Sequence, residues 1–253
     1  MNIERRLFGV ERTAIFIDGW NFAKATYEGL GIRVDFKRLL SALSAGRLLV
    51  RAIYYIGEWS DEGYALMANL RRARVVDSGT APPDPQESER RRMQQQGFIR
   101  MLNRNGYQVT KRPVVVFADG TTKALIGVDL ALDMLSLADR CDRMVLVSGD
   151  GDFTPAVRAV AARGVRVQVV ASQAPQAASA TPEHARPFPA RASDELLDAA
   201  DEFTELKDLA AEIELQEPRR SPPRPFIPPE PPPAKEPASE TEPSAERAVP
   251  DAP

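Results

Sequence analysis

Ile15-Phe16-Ile17-Asp18-Gly19-Trp20-Asn21 and Val145-Leu146-Val147-Ser148-Gly149-Asp150-Gly151-Asp152-Phe153 are built alike. In each, an apolar run of β-strand type stops at Asp and Gly, where a turn must begin. In a parallel α/β sheet the carboxyl ends of the strands share one edge, and ligands bind in the crevice there. Asp18, Asp150 and Asp152 are therefore predicted to meet at one edge. Three carboxylates so placed repel one another unless a cation sits between them.

The pattern around these two segments is that of βαβ units. Val50–Ile56 and Val165–Val170 are further strands, rich in β-branched residues. Asp35 is placed to cap a helix in which Phe36, Leu39, Leu40 and Leu43 fall at i, i+3, i+4 and i+7, with Gly46 as its stop. Helices are also predicted over Ser60–Arg72, Ser88–Asn105, Val128–Arg140 and from Thr154, the last with Thr154 as N-cap and Pro155 at the first helical position. Tyr107–Thr110 and Val114–Phe117 are two strands or one bent strand, joined at Pro113, and Arg74–Val76 is a short strand. Ser193 can cap a short helix over Asp194–Ala200, with Phe203–Leu206 docking back on the domain. Strands alternating with helices imply a mostly parallel sheet.

Composition narrows the chemistry. Cys141 and His184 are the only residues of their kinds, so disulfides, thiolate metal sites and histidine catalysis are not expected. The N-terminus is charged, with no apolar segment of signal type, and no apolar run is long enough for a membrane helix. A soluble cytoplasmic protein is the expectation. The last 38 residues hold 13 of the 22 prolines, a composition that cannot bury enough apolar surface to offset chain entropy. That tail is predicted to be disordered, and Ser221-Pro-Pro-Arg-Pro-Phe-Ile-Pro-Pro229 is a candidate polyproline ligand for a protein partner.

A third strand–helix junction also carries acids. In Gly127-Val128-Asp129-Leu130-Ala131-Leu132-Asp133, Asp129 opens a helix and Asp133 lies one turn later on the same face. Carboxylates without His or Cys are hard oxygen ligands, suited to Mg²⁺ or Mn²⁺. Such ions bind phosphate oxygens and acidify water for attack at phosphorus.

The combination Phe16-Ile17-Asp18-Gly19-x-Asn21 with Ser148-Gly149-Asp150-Gly151-Asp152-Phe153-x-Pro155 resembles the NYN domain, LabA-like branch, of the PIN-like nuclease superfamily. The likeness continues through Tyr54-Tyr55-Ile56-Gly57, Gly106-Tyr107, Gly164-x-x-Val167 and Ser193-x-x-Leu196-x-x-x-Ala200-Asp201-x-Phe203, and covers roughly residues 10–209. The resemblance implies a PIN-like three-layer α/β/α sandwich with a central mostly parallel sheet, an acidic site for Mg²⁺ or Mn²⁺, and ribonuclease activity. Carried over, Asp18, Asp150 and Asp152 form the acidic site, with Asn21 and Ser148 as polar supports. The family's Lys-Gly-Val-Asp is spread out in this chain: Lys123 stands apart from Gly127-Val128-Asp129, and Asp133 follows Asp129 at four positions. Asp129 is favoured as the fourth ligand because it sits at a helix entrance, with Asp133 as its rival. The domains expected are an N-terminal extension over 1–10, the NYN/PIN-like domain over 11–209 and the Pro/Glu/Ala-rich tail over 210–253.

Between Asn69 and Arg112 ten basic residues face four acidic ones, in a chain of net charge −3. Arg90, Arg91 and Arg92 stand near a helix N-terminus, where the dipole does not favour them, which suggests phosphate contacts. Trp20, beside Asp18, is placed to stack a base. The leading expectation is a metal-dependent ribonuclease acting on single-stranded RNA. The alternative is a catalytically weak or inactive PIN-like module that binds RNA or a regulatory partner. Two other phosphate enzymes fit less well. A haloacid-dehalogenase phosphatase wants an Asp where Trp20 stands, and a Toprim domain wants a Glu where Asp18 stands. The oligomeric state is open between monomer and homodimer.

Overall fold

The computed structural model describes residues 10–60, 63, 85–116, 122–173 and 191–216. The expected helix over Ser60–Arg72 (Ser60 and Gly63 apart), the strand Arg74–Val76, His184 and the Pro-rich tail beyond residue 216 lie outside the described residues. Strand β1 (Arg12–Asp18) is central, between β2 (Leu48–Glu58) and β5 (Arg143–Val147). With β3 (Gln108–Val116), β4 (Thr122–Ala124), β6 (Arg166–Ala171) and β7 (Glu202–Glu205) the sheet order is β4-β3-β2-β1-β5-β6-β7. Every adjacent pair is parallel except β3–β4. The chain works outward from β1 to the β4 edge, then crosses back and continues from β5 to the other edge. The reversal falls between β1 and β5, which is where an open α/β sheet forms its crevice.

Strand alternation divides the core into two layers. Phe16, Ile53 and Tyr55 face α4 (Ile126–Leu137), α5 (Thr154–Ala161) and α6 (Asp194–Ala199), through Ile126, Leu130, Met134, Val157, Val160 and Leu196. Ile15, Ile17, Tyr54 and Ile56 face α1 (Gly19–Ala23), α2 (Phe36–Ser44), α3 (Pro85–Arg104) and α7 (Leu206–Ile213), through Phe22, Phe36, Leu39, Phe98, Leu206 and Ile213. This is the expected three-layer sandwich. Among the described residues no helix is long and apolar enough to cross a membrane.

Several local readings are refined. Asp35 caps α2, its Oδ1 accepting from the N–H groups of Lys37 and Arg38 at 2.9 and 3.1 Å. Gln108–Val116 makes one strand rather than two, since β3 runs through Pro113, and Phe117 lies outside the described residues. Phe203–Leu206 docks as β7, a parallel strand beside β6, and the chain then continues as α7. Thr154 does not cap α5. Phe153 holds the N-cap position, and Asp150 caps the preceding short 3₁₀ turn (Gly151–Phe153) by accepting from the Asp152 N–H at 3.0 Å. Helix α1 starts directly after Asp18 and runs into a π-helical turn, Lys24–Gly29.

At the opposite, N-terminal edge of the sheet, the buried Arg143 guanidinium donates to Glu202 and, at 2.9 Å, to Gln168 Oε1. The Glu202 carboxyl is held down to about 2, chiefly by the hydrogen bond from Arg143. Glu202→Gln leaves a buried cation without its counter-charge. With Glu202 itself 36% exposed, screening limits the expected loss to about 1–2 kcal/mol at pH 7. The depressed carboxyl contributes above its ordinary value of 4.5 and loses that contribution as pH falls through about 2. Urea unfolding should therefore separate wild type from Glu202→Gln at pH 7 and merge them near pH 2.

Candidate acidic site at the carboxyl edge

Asp18 is the last residue of β1 and only 6% exposed. Its Oδ1 accepts from the Trp20 and Asn21 N–H groups, each at 3.2 Å, so the carboxylate caps α1. Its Oδ2 accepts from the Ser148 hydroxyl at 3.2 Å. Ser148 immediately follows β5, and its Oγ accepts in turn from the Asp150 N–H at 3.2 Å. Asn21 crosses the other way, its Oδ1 accepting from the Gly149 N–H at 3.1 Å. Side-chain bonds thus stitch the two opening sequence segments together, side by side at the switch point of the sheet.

Burial pushes the Asp18 carboxyl up to about 6, and the charge of Asp150 adds to the rise. The Asn21 N–H, the Ser148 hydroxyl and the Trp20 N–H oppose it without cancelling it. Asp150 and Asp152 are exposed on the turn that follows β5. The glycines on either side of Asp150 have a steric reason. The Ser193 N–H donates to Gly149 O at 3.0 Å, which brings residues 192 and 193 against the turn. A Cβ on Gly149 would lie 3.0 Å from Ala192 Cα, and one on Gly151 would lie 2.8 Å from Ser193 Oγ.

The α4 carboxylates take other partners. Asp133 Oδ2 accepts from the Tyr55 hydroxyl at 2.8 Å. Tyr55 is the register partner of Asp18 on β2, and its hydroxyl is held protonated by burial first and by Asp133 second. Asp129 is clasped by both Nε and Nη2 of Arg112 on β3, and this bond holds its carboxyl below the ordinary range. Asp18 and Asp150 therefore come together, with Asp152 one hydrogen bond further out, while Asp129 and Asp133 are engaged elsewhere. Among the described residues, no three His, Cys, Asp or Glu side chains gather closely enough to hold a metal ion. Asp18 and Asp150 nonetheless suit a hard cation. Both are oxygen donors, and Asp18 Oδ2 accepts a single hydrogen bond and so keeps a lone pair.

Arg90 is exposed on α3, and Arg92 pairs with Glu89 at 2.6 Å. Gln95, about one turn further on, donates to Gly57 O at 2.7 Å, which places the three arginines toward the carboxyl edge of the sheet. Trp20 is half-buried, with Lys24 Nζ 5.0 Å from its ring centre. The Lys123 backbone belongs to β4, and its side chain lies outside what is described. Tyr55 and Arg112 were not legible as site neighbours. Tyr55 stands in a family-like Tyr-Tyr-Ile-Gly run and Arg112 ends the basic stretch, but only the register of β1, β2 and β3 brings them to Asp18.

A family model described as the NYN domain matches residues 12–207. The chain is 28% identical over 229 residues to the Low amplitude and bright protein LabA of Synechococcus elongatus, covering 87% of this chain and 95% of that one. It shares its fold with a protein of unknown function from Vibrio parahaemolyticus, at a TM-score of 0.54 and 23% identity, covering 85% of this chain and all of that one. With the match spanning both aspartate segments and the whole described sheet, the chain belongs to the NYN domain family.

Proposed function

We propose that the protein is a metal-dependent ribonuclease that hydrolyses RNA phosphodiester bonds at the carboxyl edge of β1 and β5. The observation that carries this reading is Asp18. It is a buried carboxylate whose own fold disfavours its charge, set beside Asp150 at the switch point of the sheet. A fold keeps such a group where a cation is to be received. Membership of the NYN family, within the PIN-like nucleases, agrees with it. Asp18 and Asp150 would hold Mg²⁺ or Mn²⁺, and the further ligands, Asp152 and one of Asp129 or Asp133, would have to leave their present positions to join them. The ion would supply charge stabilisation at phosphate oxygens and acidify water. Ser148 and Asn21 fix Asp18 and the 148–152 turn in one geometry, so the two carboxylates need no reorganisation when substrate arrives. An exposed carboxylate such as Asp152 would orient the attacking water, whose oxygen bonds to phosphorus as the ester P–O bond breaks, the water giving up a proton and the departing alkoxide taking one to become a hydroxyl.

The test is cleavage of end-labelled single-stranded RNA with Mg²⁺ or Mn²⁺ by wild type, Asp18→Asn and Asp150→Asn. Loss in both variants is expected, and equal cutting by all three would trace the activity to a contaminant. A second reading has its own observation: Asp129 and Asp133 are already engaged, by Arg112 and Tyr55. That favours a catalytically inactive RNA-binding module, and wild type that binds RNA yet never cuts it would establish this reading. In either case Arg90→Ala/Arg91→Ala/Arg92→Ala should weaken binding. It should also lower the slope of log K against log salt by about 2, at about 0.7 per single-strand phosphate contact. An unchanged slope removes this patch from the RNA path.

A further inference from the structure

Arg112 is the feature that the proposed chemistry leaves unused. In the parallel ladder Asp18 pairs with Tyr55 and Tyr55 with Thr110, and paired residues point to the same face. Arg112, two residues beyond Thr110, shares the face of Asp18 and stands past it toward the carboxyl edge. Two strand spacings separate β3 from β1, so Arg112 lies about 10 Å to the side of Asp18. With the two-residue advance along the strand added, that offset exceeds one phosphate-to-phosphate step of a single strand and falls within the reach of two. The Arg112 side chain is 49% exposed, and both its Nε and Nη2 engage Asp129, which is 17% exposed.

We propose that Arg112 is a phosphate-binding residue for the nucleic-acid substrate, held in the free protein by Asp129 and passed from that carboxylate to a backbone phosphate on binding. Three features of the chain support the exchange. The planar fork that grips a carboxylate at two points grips a phosphate in the same way. With Arg112 half-exposed, water screens one side of the pair, and a phosphate gripped by the same fork replaces what the carboxylate gave up. The swap also releases Asp129 one helical turn from Asp133, on the face that carries Asp18, so the phosphate's added charge comes with a carboxylate made available to a cation. This inference rests on the reading of the carboxyl edge as a nucleic-acid site, and it holds whether or not the protein cuts.

The test is anisotropy of a fluorescein-labelled single-stranded RNA, in EDTA, over a series of KCl concentrations. Wild type, Arg112→Ala, Arg112→Lys, Asp129→Asn and the Arg112→Ala/Asp129→Asn double variant are compared, with circular dichroism to confirm folding. Arg112→Ala should bind about 3–10-fold more weakly, with a salt slope lower by about 0.7. Arg112→Lys should keep the slope while losing part of the affinity, since an ammonium cannot reproduce the fork. Asp129→Asn, which frees Arg112 beforehand, should bind RNA more tightly than wild type, and only when Arg112 is present. Equal tightening in the Arg112→Ala background would make Asp129 a plain repulsive charge and overturn the exchange. Unchanged affinity and slope in Arg112→Ala would overturn the phosphate contact. If wild type binds no RNA, the inference and the functional reading fall together. If it binds through Arg112 but never cuts, the inference stands and only the ribonuclease reading falls.

Discussion

Asp18→Asn is expected to abolish RNA cleavage and, in the same protein, to raise stability at neutral pH. The two effects share one cause. In the folded chain the Asp18 carboxyl is raised from 3.8 to about 6, foremost by burial. A carboxyl raised on folding favours the native state while it is protonated. That contribution is whole below 3.8 and is lost as pH rises through about 6. Above that point the wild type carries a buried charge that the unfolded chain would hold in water, a deficit of about 3 kcal/mol. Asparagine has nearly the same shape and no charge. Its Oδ1 can still accept from the Trp20 and Asn21 N–H groups, and its amide can donate to Ser148 Oγ. In EDTA at pH 7.5 the variant should melt higher by roughly 6–12 °C, at about 2–4 °C per kcal/mol for a domain of this size. The gap should close toward pH 4. Adding Mn²⁺ should raise the wild-type melting temperature at pH 7.5 and leave Asp18→Asn unmoved, because the ion offsets the charge that the substitution removes. Scanning calorimetry over pH 4–8, with EDTA and with Mn²⁺, checks each of these. An Asp18→Asn protein less stable than wild type at pH 7.5 in EDTA would mean that Asp18 is an ordinary helix cap.

The fold was readable because its central strands announce themselves. Ile15–Ile17 and Val145–Val147 are apolar at every position, as strands covered on both sides must be, and each ends in residues that only a turn accommodates. What sequence spacing could not supply was adjacency. The Ser148 hydroxyl on Asp18, the Asn21 amide on Gly149, the Tyr55 hydroxyl on Asp133 and the Arg112 fork on Asp129 all cross between elements, and their pairing depends on strand order and register. The same limit explains why Asp129 looked like a natural companion of Asp18: its place at a helix entrance was legible, but its arginine on β3 was not. Thr154 was misread for a more local reason. A Thr-Pro at a helix start usually caps, but here the preceding Asp150 already supplies the acceptor one turn earlier, at the Asp152 N–H.

Gly19→Ala is expected to be among the most damaging single substitutions in the chain, although it adds one methyl group and leaves every carboxylate in place. Gly19 invites a reading as the flexible glycine of an Asp-Gly turn. Its backbone is not of that kind, since it is absent from the positive-φ positions among the described residues, which are Gly31, Ala45, Gly46, Gly106 and Gly164. Gly19 matters because α1 must start on top of β2. A Cβ at this position would lie 2.3 Å from Tyr54 Cε1 and 2.5 Å from the Tyr55 carbonyl oxygen. The Tyr54 ring is fully buried among Phe36 and Phe98, and its hydroxyl donates to Gly19 O at 3.3 Å, so it has nowhere to swing. The Tyr55 oxygen is backbone within the central sheet. Relief requires α1 to lift, which pulls the Trp20 and Asn21 N–H groups off Asp18 and the Asn21 amide off Gly149. Overpacking alone costs about 1–3 kcal/mol, and the lost cap adds about 1, so about 2–4 kcal/mol is expected by urea unfolding, with cleavage falling as Asp18 is displaced. Gly127→Ala is the matched control. Its Cβ meets nothing nearer than Phe153 Cε1 at 3.8 Å, it lies within α4, and alanine there should stabilise by about 0.5 kcal/mol. If Gly19→Ala unfolds within about 1 kcal/mol of wild type, α1 is not seated on β2 as described, and the rigid framework ascribed to Asp18 goes with it.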